Sequence, residues 1–193
     1  SPLALHLEQF KRWYSQAGTP HVKAVGQYDA DAGRYTLTLS QSCAATPGQP
    51  SKLPFVIPVA LGLLDAQGKA LPLQLDGEAT AGSTERTVVL TEESLTLGFV
   101  NVTSQPVPSL LRGFSAPVVL DHDYSDTELL TLLAHDGDAF NRWEAGQRLM
   151  LRIAINAIAD STITEGANGQ IDQNLLPDAL VQAMRAVLRH PQL

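Results

Sequence analysis

Cysteine and positive charge are both scarce in this sequence. Cys43 is the one cysteine among 193 residues, which excludes an internal disulfide framework and a cysteine-based zinc finger. Lys and Arg number 13 against 20 Asp and Glu, which gives a formal net charge of -7. Because phosphate binding draws on clustered basic side chains, we expect no nucleic acid partner.

Long apolar runs are also missing. No uninterrupted stretch approaches the roughly 18 apolar residues that a membrane-spanning helix needs, so we expect no membrane partner. The sequence opens with Ser1 and Pro2 and has no basic head before an apolar core, so we expect no intact export signal. The chain is therefore expected to be a soluble one.

The sequence lacks the common catalytic motifs. None of the five histidines is followed directly by Glu, which excludes the His-Glu-x-x-His zinc site. Neither glycine-rich phosphate-binding motif is present. The composition and motifs therefore predict no catalytic residues and no metal ligands in this chain.

Three weaker candidates remain. In Asp121-His122-Asp123, strand alternation sends the histidine to one face and the aspartates to the other, which favours a solvated surface over a loosely held cation. Gly113-Phe114-Ser115-Ala116-Pro117 is close to the Gly-x-Ser-x-Gly motif of a nucleophile elbow, but Pro117 replaces its second glycine. We therefore interpret Ser115 as a serine in a turn. Cys43 has no basic neighbour in sequence to lower its pKa, which favours an inert thiol.

What is present is a long central region with a period of two. Hydrophobic residues make up 44% of the chain, enough for a sizeable core. Tyr35–Ser40 alternates cleanly, as do Leu95, Leu97 and Phe99, and Pro58 suggests that its strand lies at an edge or a bulge. Further strands are predicted at Val22–Gln27, Phe55–Leu64, Thr87–Leu90, Leu110–Phe114 and Val118–Tyr124. About seven short strands indicate an antiparallel, immunoglobulin-like β-sandwich.

Helical patterns flank this region on both sides. A short helix is predicted from Pro2 to about Ala17, ended by Gly18-Thr19-Pro20. A capping box, Ser125-Asp126-Thr127-Glu128, opens a second helix. Two more are predicted at about Asp138–Ala159 and Pro177–Arg189, with a polar stretch, Ser161–Gln170, between them. We therefore expect a mainly β fold with α: a sandwich preceded by one helix and followed by about three helices of an incomplete helical array, with the chain cut at both ends.

Several strings in this order resemble bacterial aminopeptidase N. The match to the junction that opens its β-domain is specific, because two aromatic residues and Gly-Thr-Pro fall in register. The strings are Phe10-Lys11-Arg12-Trp13-Tyr14-Ser15-Gln16-Ala17-Gly18-Thr19-Pro20, Gln105–Leu111 followed by Phe114–Val118, Tyr124-Ser125-Asp126, and Phe140–Gln147. The resemblance covers nearly the whole chain.

The resemblance implies a division into three parts. Residues 1–18 would be the terminal helix of a catalytic domain that is missing from this chain, residues 19–123 a β-sandwich domain, and residues 124–193 the start of a C-terminal α-helical domain. It also implies that the sandwich links the catalytic domain to the helical cap. The expected partners are the remaining domains of the parent aminopeptidase. The residues expected to pack between domains are Phe10, Trp13, Tyr14, Gly18, Thr19, Pro20, Phe140 and Trp143.

The resemblance further implies a parent that is a zinc-dependent exopeptidase in the bacterial cytoplasm. Such an enzyme removes N-terminal residues from peptides and binds zinc through two histidines and a glutamate. None of these motifs maps onto this sequence, so we expect no cofactor in this chain and an inactive fragment.

Two other classes of function stay open. One is a free-standing β-sandwich module that binds protein or carbohydrate through exposed aromatic residues. Only 6% of the residues are aromatic, and Trp13 and Trp143 lie on predicted helices, which favours packing over ligand stacking. The other is an independent hydrolase that uses Ser115 or Cys43, which requires a histidine brought close by the fold.

Overall fold

The computed structural model describes residues 7–159 and 177–189. Within these residues, two β-sheets pack face to face, with a short helix before them and three helices after them. The elements are α1 (Arg12–Ser15), β1 (His21–Asp29), β2 (Arg34–Ser42), β3 (Ile57–Leu64), β4 (Glu85–Leu90), β5 (Ser94–Phe99), β6 (Val107–Leu110), β7 (Val119–Asp121), α2 (Asp126–His135), α3 (Ala139–Ala159) and α4 (Asp178–Leu188). The predicted fold class, an immunoglobulin-like sandwich flanked by helices, is confirmed.

The strand order gives one sheet of four strands and one of three. The first runs β5-β2-β1-β7 and the second β4-β3-β6. All neighbours are antiparallel except β1 and β7, which run parallel from the pair His21 and Val119. Tyr35, Leu37 and Leu39 are buried in β2, as the alternation predicts, because side chains of a strand point to opposite faces in turn.

Pro58 lies in the central strand of its sheet and not at an edge, so that part of the prediction is wrong. It pairs with Val89 of β4, whereas the pairing of β3 with β6 begins only at Leu61. The amide of Ala60, which points to the same side as Pro58 would, donates to the hydroxyl of Ser115 at 3.0 Å. Proline is tolerated because β6 does not extend far enough to require its missing donor.

The strand predicted at Leu110–Phe114 ends at Leu110. A turn of 3₁₀ helix follows at Arg112–Phe114. Leu111 has φ of 56°, Gly113 of 60° and Phe114 of 53°. These left-handed angles are incompatible with a strand.

The helices begin close to where the sequence predicts. At the start of α2 the hydroxyl of Ser125 accepts from the amide of Glu128 at 3.2 Å, and the Glu128 carboxylate accepts from the amide of Ser125 at 2.8 Å. This is the predicted capping box. The first residues of the predicted N-terminal helix and the stretch Ser161–Gln170 lie outside the described residues.

Two hydrophobic clusters fill the interior. The larger lies between the sheets. The second joins one end of the sandwich to the helices through Leu64, Val107, Tyr124, Leu129, Leu132, Leu133, Ala145, Leu149, Leu180 and Ala183. The second cluster joins α2 and α3 to the sandwich, and α4 packs against α2.

Candidate interdomain joints

One face of α1 is bound to the sandwich. The indole nitrogen of Trp13 donates to the carbonyl of Val56 at 2.9 Å, and its ring lies 4.8 Å from that of Phe55. The side-chain oxygen of Gln16 accepts from the backbone amide of Leu53 at 2.7 Å, and its side-chain nitrogen donates to the Leu53 carbonyl at 2.9 Å. These side chains satisfy backbone groups of the extended segment 53–56, which precedes β3. We call this contact the helix joint.

The opposite side of the helical segment at residues 7–15, which includes α1, is apolar and exposed. Leu7, Phe10 and Tyr14 follow one another at a spacing that places them on one side of a helix. Tyr14 is 84% exposed, and its ring lies 6.2 Å from that of Phe10 in an edge-on arrangement. The resemblance implies that Phe10, Trp13 and Tyr14 all pack between domains. The structure divides them, with Trp13 on the sandwich and Phe10 and Tyr14 facing away from it.

Gly18, Thr19 and Pro20 form the turn from the helix into β1. Gly18 has φ of 99°, and a Cβ added there would lie 3.2 Å from the sulfur of Cys43. Thr19 is exposed, while Pro20 is buried and its carbonyl accepts from the amide of Val119 at 3.0 Å. The turn therefore begins the ladder between β1 and β7.

A loop that sequence patterning missed holds the end of this helix. The amine of Lys52 donates to the carbonyl of Ala17 at 2.8 Å and to the hydroxyl of Thr46 at 2.7 Å. Gln49 accepts from the amide of Ala17 and donates to the carbonyl of Ser15. Polar side chains in a loop that is distant in sequence carry no periodic signal, so only the fold reveals these contacts.

A buried ion pair lies where the sandwich meets the helices. The Arg112 guanidinium donates to the carboxylate of Asp136 at 2.7 Å, and its Nε donates to Glu85 at 2.6 Å. Burial by itself lowers the pKa of Arg112, but the hydrogen bonds and charges of Glu85 and Asp136 raise it overall. Arg112 therefore stays charged and paired. We call the whole contact between the sandwich and helices α2 and α3, of which this ion pair is one part, the cap joint.

A second arginine secures α3 to the free edge of β7. The guanidinium of Arg148 donates to the carbonyls of Leu120 at 3.1 Å and His122 at 3.4 Å, and it lies 5.7 Å from the ring of Tyr124. Glu144, one turn earlier on α3, pairs with it at 3.0 Å. Unpaired carbonyls of an edge strand are thereby covered by the helix.

Tyr124 is the buried centre of this contact. Its hydroxyl donates to the carbonyl of Pro108 at 2.8 Å, and the ring of His122 packs against it at 4.3 Å. Burial raises its pKa well above the ordinary value for tyrosine. The residue bridges the segment before α2 to strand β6.

An exposed aromatic group lies beside the cap joint. The ring of Phe140 lies between two others, with its centroid 5.2 Å from that of Phe114 and 5.8 Å from that of Trp143. Phe114 is 53% and Trp143 57% exposed. They line the mouth of a mostly apolar cavity of about 440 Å³ between β6, β7, α2 and α3. Phe140 and Trp143, expected to pack between domains, lie on α3, and Phe140 packs against Phe114 just after β6.

Within the described part of the chain, neither Ser115 nor Cys43 is hydrogen-bonded to a histidine. The hydroxyl of Ser115 accepts from the amide of Ala60, and His122 Nδ1 lies 2.8 Å from the carbonyl of Ala24. In residues 7–159 and 177–189, no three His, Cys, Asp or Glu side chains are grouped to hold a metal ion. Over the same residues, no helix combines the length and the apolar character needed to cross a membrane.

Comparisons with known proteins give two family matches. Residues 18–123 match a domain of unknown function, DUF3458, described as having an Ig-like fold. Residues 126–193 match a second domain of unknown function, DUF3458_C, described as ARM repeats.

The curated relatives are longer proteins. The chain is 41% identical over 184 residues to aminopeptidase N of Escherichia coli, a match that covers 94% of this chain and 20% of that protein. It is 42% identical over 178 residues to aminopeptidase N of Caulobacter vibrioides, which covers 92% of this chain and 19% of that protein. This chain therefore spans about a fifth of the length of these relatives.

A solved structure shows the same arrangement. The chain is similar to aminopeptidase A of Legionella pneumophila in complex with aspartic acid, with a TM-score of 0.69 and 27% identity. The match covers 97% of this chain and 18% of that one. The resemblance to bacterial aminopeptidase N drawn from the sequence is confirmed by these matches.

Proposed function

The chain belongs to the DUF3458 family of Ig-like domains, and from this premise we propose that it is a non-catalytic region of a larger zinc-dependent aminopeptidase. Its sandwich links the catalytic domain to the helical cap of that enzyme. The similarity to aminopeptidase N over about a fifth of its length supports this proposal. The zinc and the catalytic residues belong to the remaining domains, and the parent acts in the bacterial cytoplasm.

The single observation that carries the linking role is that the sandwich is bound at two separate places. At the helix joint Trp13 fixes α1 to the segment before β3. At the cap joint Arg112 and Arg148 fix α2 and α3 to β6 and β7. A domain that is held firmly at both places can transmit a fixed geometry between the parts on either side, and positioning over a reaction site depends on such geometry.

The contacts at the two joints support the domain division that we propose with this role. Residues 1–18 end the catalytic domain, residues 19–123 are the sandwich, and residues 124–193 begin the helical domain. The turn Gly18-Thr19-Pro20 stands at the first boundary, where Gly18 has a positive φ. Ser125, the N-cap of α2, stands at the second.

The exposed apolar surfaces fit contacts with the rest of the parent. Phe10 and Tyr14, on the outer side of the helical segment at residues 7–15, meet the rest of the catalytic domain, and Phe140 and Trp143 meet another part of the same polypeptide. Large exposed aromatic groups on a soluble domain commonly mark interaction surfaces. These four residues, with Trp13 and the turn at Gly18, Thr19 and Pro20, are the proposed packing residues between domains.

A peptidase assay tests the absence of catalysis. The purified chain is incubated with alanyl and leucyl chromogenic amides, with and without added zinc, and the metal content of the same sample is measured. We expect no turnover and no stoichiometric zinc. Turnover that follows bound zinc would overturn the proposal, whereas turnover lost in Ser115→Ala or Cys43→Ala would indicate the independent hydrolase.

Fluorescence tests the packing of Trp143. The chain holds two tryptophans, so Trp13→Phe leaves Trp143 as the single indole. In the isolated chain we expect acrylamide to quench it strongly, since it is exposed. In the full-length polypeptide the emission of Trp143 is taken as the part that Trp143→Phe removes. We expect that part to be quenched weakly, and equally strong quenching in both proteins would contradict the proposed contact.

The alternative of a free-standing binding module has less support. Among the described residues, the exposed aromatic side chains lie on helices and on the turn at Phe114, and not on the faces of the sheets. Carbohydrate-binding sandwiches present such rings on strands or loops. Binding of a glycan or protein by the isolated chain, lost in Phe114→Ala, would favour this alternative.

A further inference from the structure

The cap joint contains a network of polar side chains that hydrogen-bond to one another. The Asp136 side chain is fully buried. Its Oδ1 accepts from Arg112 at 2.7 Å and from the amide of Asp138 at 2.9 Å, while Oδ2 accepts from the hydroxyl of Ser109 at 2.6 Å. The carboxylate thus has partners from the sandwich and from its own loop.

Ser109 uses its hydroxyl fully. Besides donating to Asp136, it accepts from the guanidinium of Arg112 at 2.8 Å and from the side-chain amide nitrogen of Asn141 at 2.7 Å. A hydroxyl has one donor and two acceptor sites, so no capacity is left. Among the described residues, no buried side-chain nitrogen or oxygen lacks a partner.

The network joins the two parts of the molecule. Ser109 lies on β6 and Arg112 just after it, whereas Asp136 is the C-cap that follows α2 and Asn141 lies in the first turn of α3. Any rotation of the helices against the sandwich would break several of these bonds together, because hydrogen bonds require short distances and favourable angles.

The apolar part of the same interface imposes a weaker geometric constraint. Burial of apolar surface is non-directional and roughly proportional to area. Buried ion pairs, in turn, add little net stability, because desolvation offsets the attraction of the charges. The apolar contact therefore holds the helices against the sandwich, and the polar contact sets the angle between them.

We propose that Ser109, Arg112, Asp136 and Asn141 form an orientation latch that selects one angle between the sandwich and the helices. Asp136 is its central positioning residue. The helices are held to the sandwich by apolar burial, and the latch decides how they are turned. The consequence for a parent enzyme rests on the proposed function, whereas the latch itself is a property of this chain.

A distance measurement between two spin labels tests the latch in the whole chain. Cys43→Ser removes the native thiol, and Thr96→Cys with Asn156→Cys places labels on exposed positions of β5 and α3. The test variant replaces the network with apolar side chains: Ser109→Ala, Arg112→Met, Asp136→Val and Asn141→Leu. We expect one narrow distance distribution in the unaltered network and a broader or displaced one in the variant, with a melting temperature that is unchanged or higher.

An unchanged distribution in the folded variant would overturn the latch, because apolar packing alone would then fix the angle. Should the fourfold variant fail to fold, Arg112→Lys carries the test. Lysine keeps the charge but lacks the planar fork that reaches Glu85 and Asp136 together, so we again expect a broader distribution, and an unchanged one overturns the proposal.

Glu85→Gln is the matched control, because its amide oxygen still accepts from Arg112 at the exposed end of the network. We expect its distance distribution to equal that of the unaltered network. None of these measurements involves peptidase activity, so failure of the latch would leave the proposed function standing. Failure of the proposed function in the peptidase and quenching assays would leave the latch untouched.

Discussion

Gly68 lies against His135 so closely that a Cβ added to the glycine would be 2.1 Å from the Cβ of the histidine. Gly68 belongs to the turn that follows β3, and His135 is the last residue of α2. The turn therefore touches the helical part of the molecule at a point where no side chain fits. The turn at Asp65–Gly68 is thus also a contact between the sandwich and the end of α2.

Gly68→Ala is expected to destabilise the chain by about 2–4 kcal/mol. About 1 kcal/mol comes from the left-handed φ of 81° and the rest from displacing His135. Gly77→Ala is the matched control, with φ of 87° and no atom within 4 Å of the added Cβ, and it should cost only about 1 kcal/mol. Urea unfolding of the two variants measures the difference, and equal losses would contradict a tight contact at His135.

The sequence predicts local features of this molecule better than long-range ones. The alternation in β2 and the capping box at Ser125 are encoded within a few residues, and both are confirmed. The left-handed angles at Leu111 and Phe114 are not signalled by those residue types, so a strand was predicted there and is absent.

The joints follow the same rule. An apolar pattern marks Trp13 and Trp143, but it cannot say that Trp13 faces the sandwich while Trp143 remains exposed. In the sequence, Asp136 lies beside Gly137, a pair that favours the end of a helix. In the structure it is also the centre of a buried network. Its partner Ser109 lies 27 residues away in sequence, a separation at which no periodicity operates.

Trp13→Ala is expected to lower the free energy of unfolding of the isolated chain by about 2–3 kcal/mol. The change removes a half-buried ring from Phe55 and leaves the carbonyl of Val56 without its donor. Tyr14→Ala, on the exposed face of the same helix, should cost under about 0.5 kcal/mol. Chemical denaturation compares them, and a loss for Trp13→Ala as small as that for Tyr14→Ala would mean that the helix joint is not formed in solution.

Ser125→Ala is expected to cost about 1 kcal/mol. The hydroxyl of Ser125 accepts from the amide of Glu128, and alanine leaves that amide at the start of α2 without a partner. Thr127→Ala, two residues further along the same helix, keeps the N-cap and is the control. Thermal unfolding should show a clear decrease for the first variant and little for the second, and equal decreases would contradict the capping role.

Tyr124 makes the stability of the cap joint sensitive to alkali. Burial raises its pKa in the folded state, so it stays neutral there while the unfolded chain ionises it above about pH 10. The stabilisation is therefore fully present below pH 10 and is lost as the pH rises beyond it, by about 1.4 kcal/mol per pH unit for one group. Tyr124→Phe removes this group and the bond to Pro108, at a cost of about 1–2 kcal/mol at neutral pH. Above pH 10 the unfolding free energy of Tyr124→Phe should fall less steeply with pH than that of the unaltered chain. The two curves of unfolding free energy against pH should therefore approach each other there. Parallel curves in urea titrations over this range would show that Tyr124 ionises alike in both states, and the hydroxyl would then be accessible to water despite its place between β6 and α2.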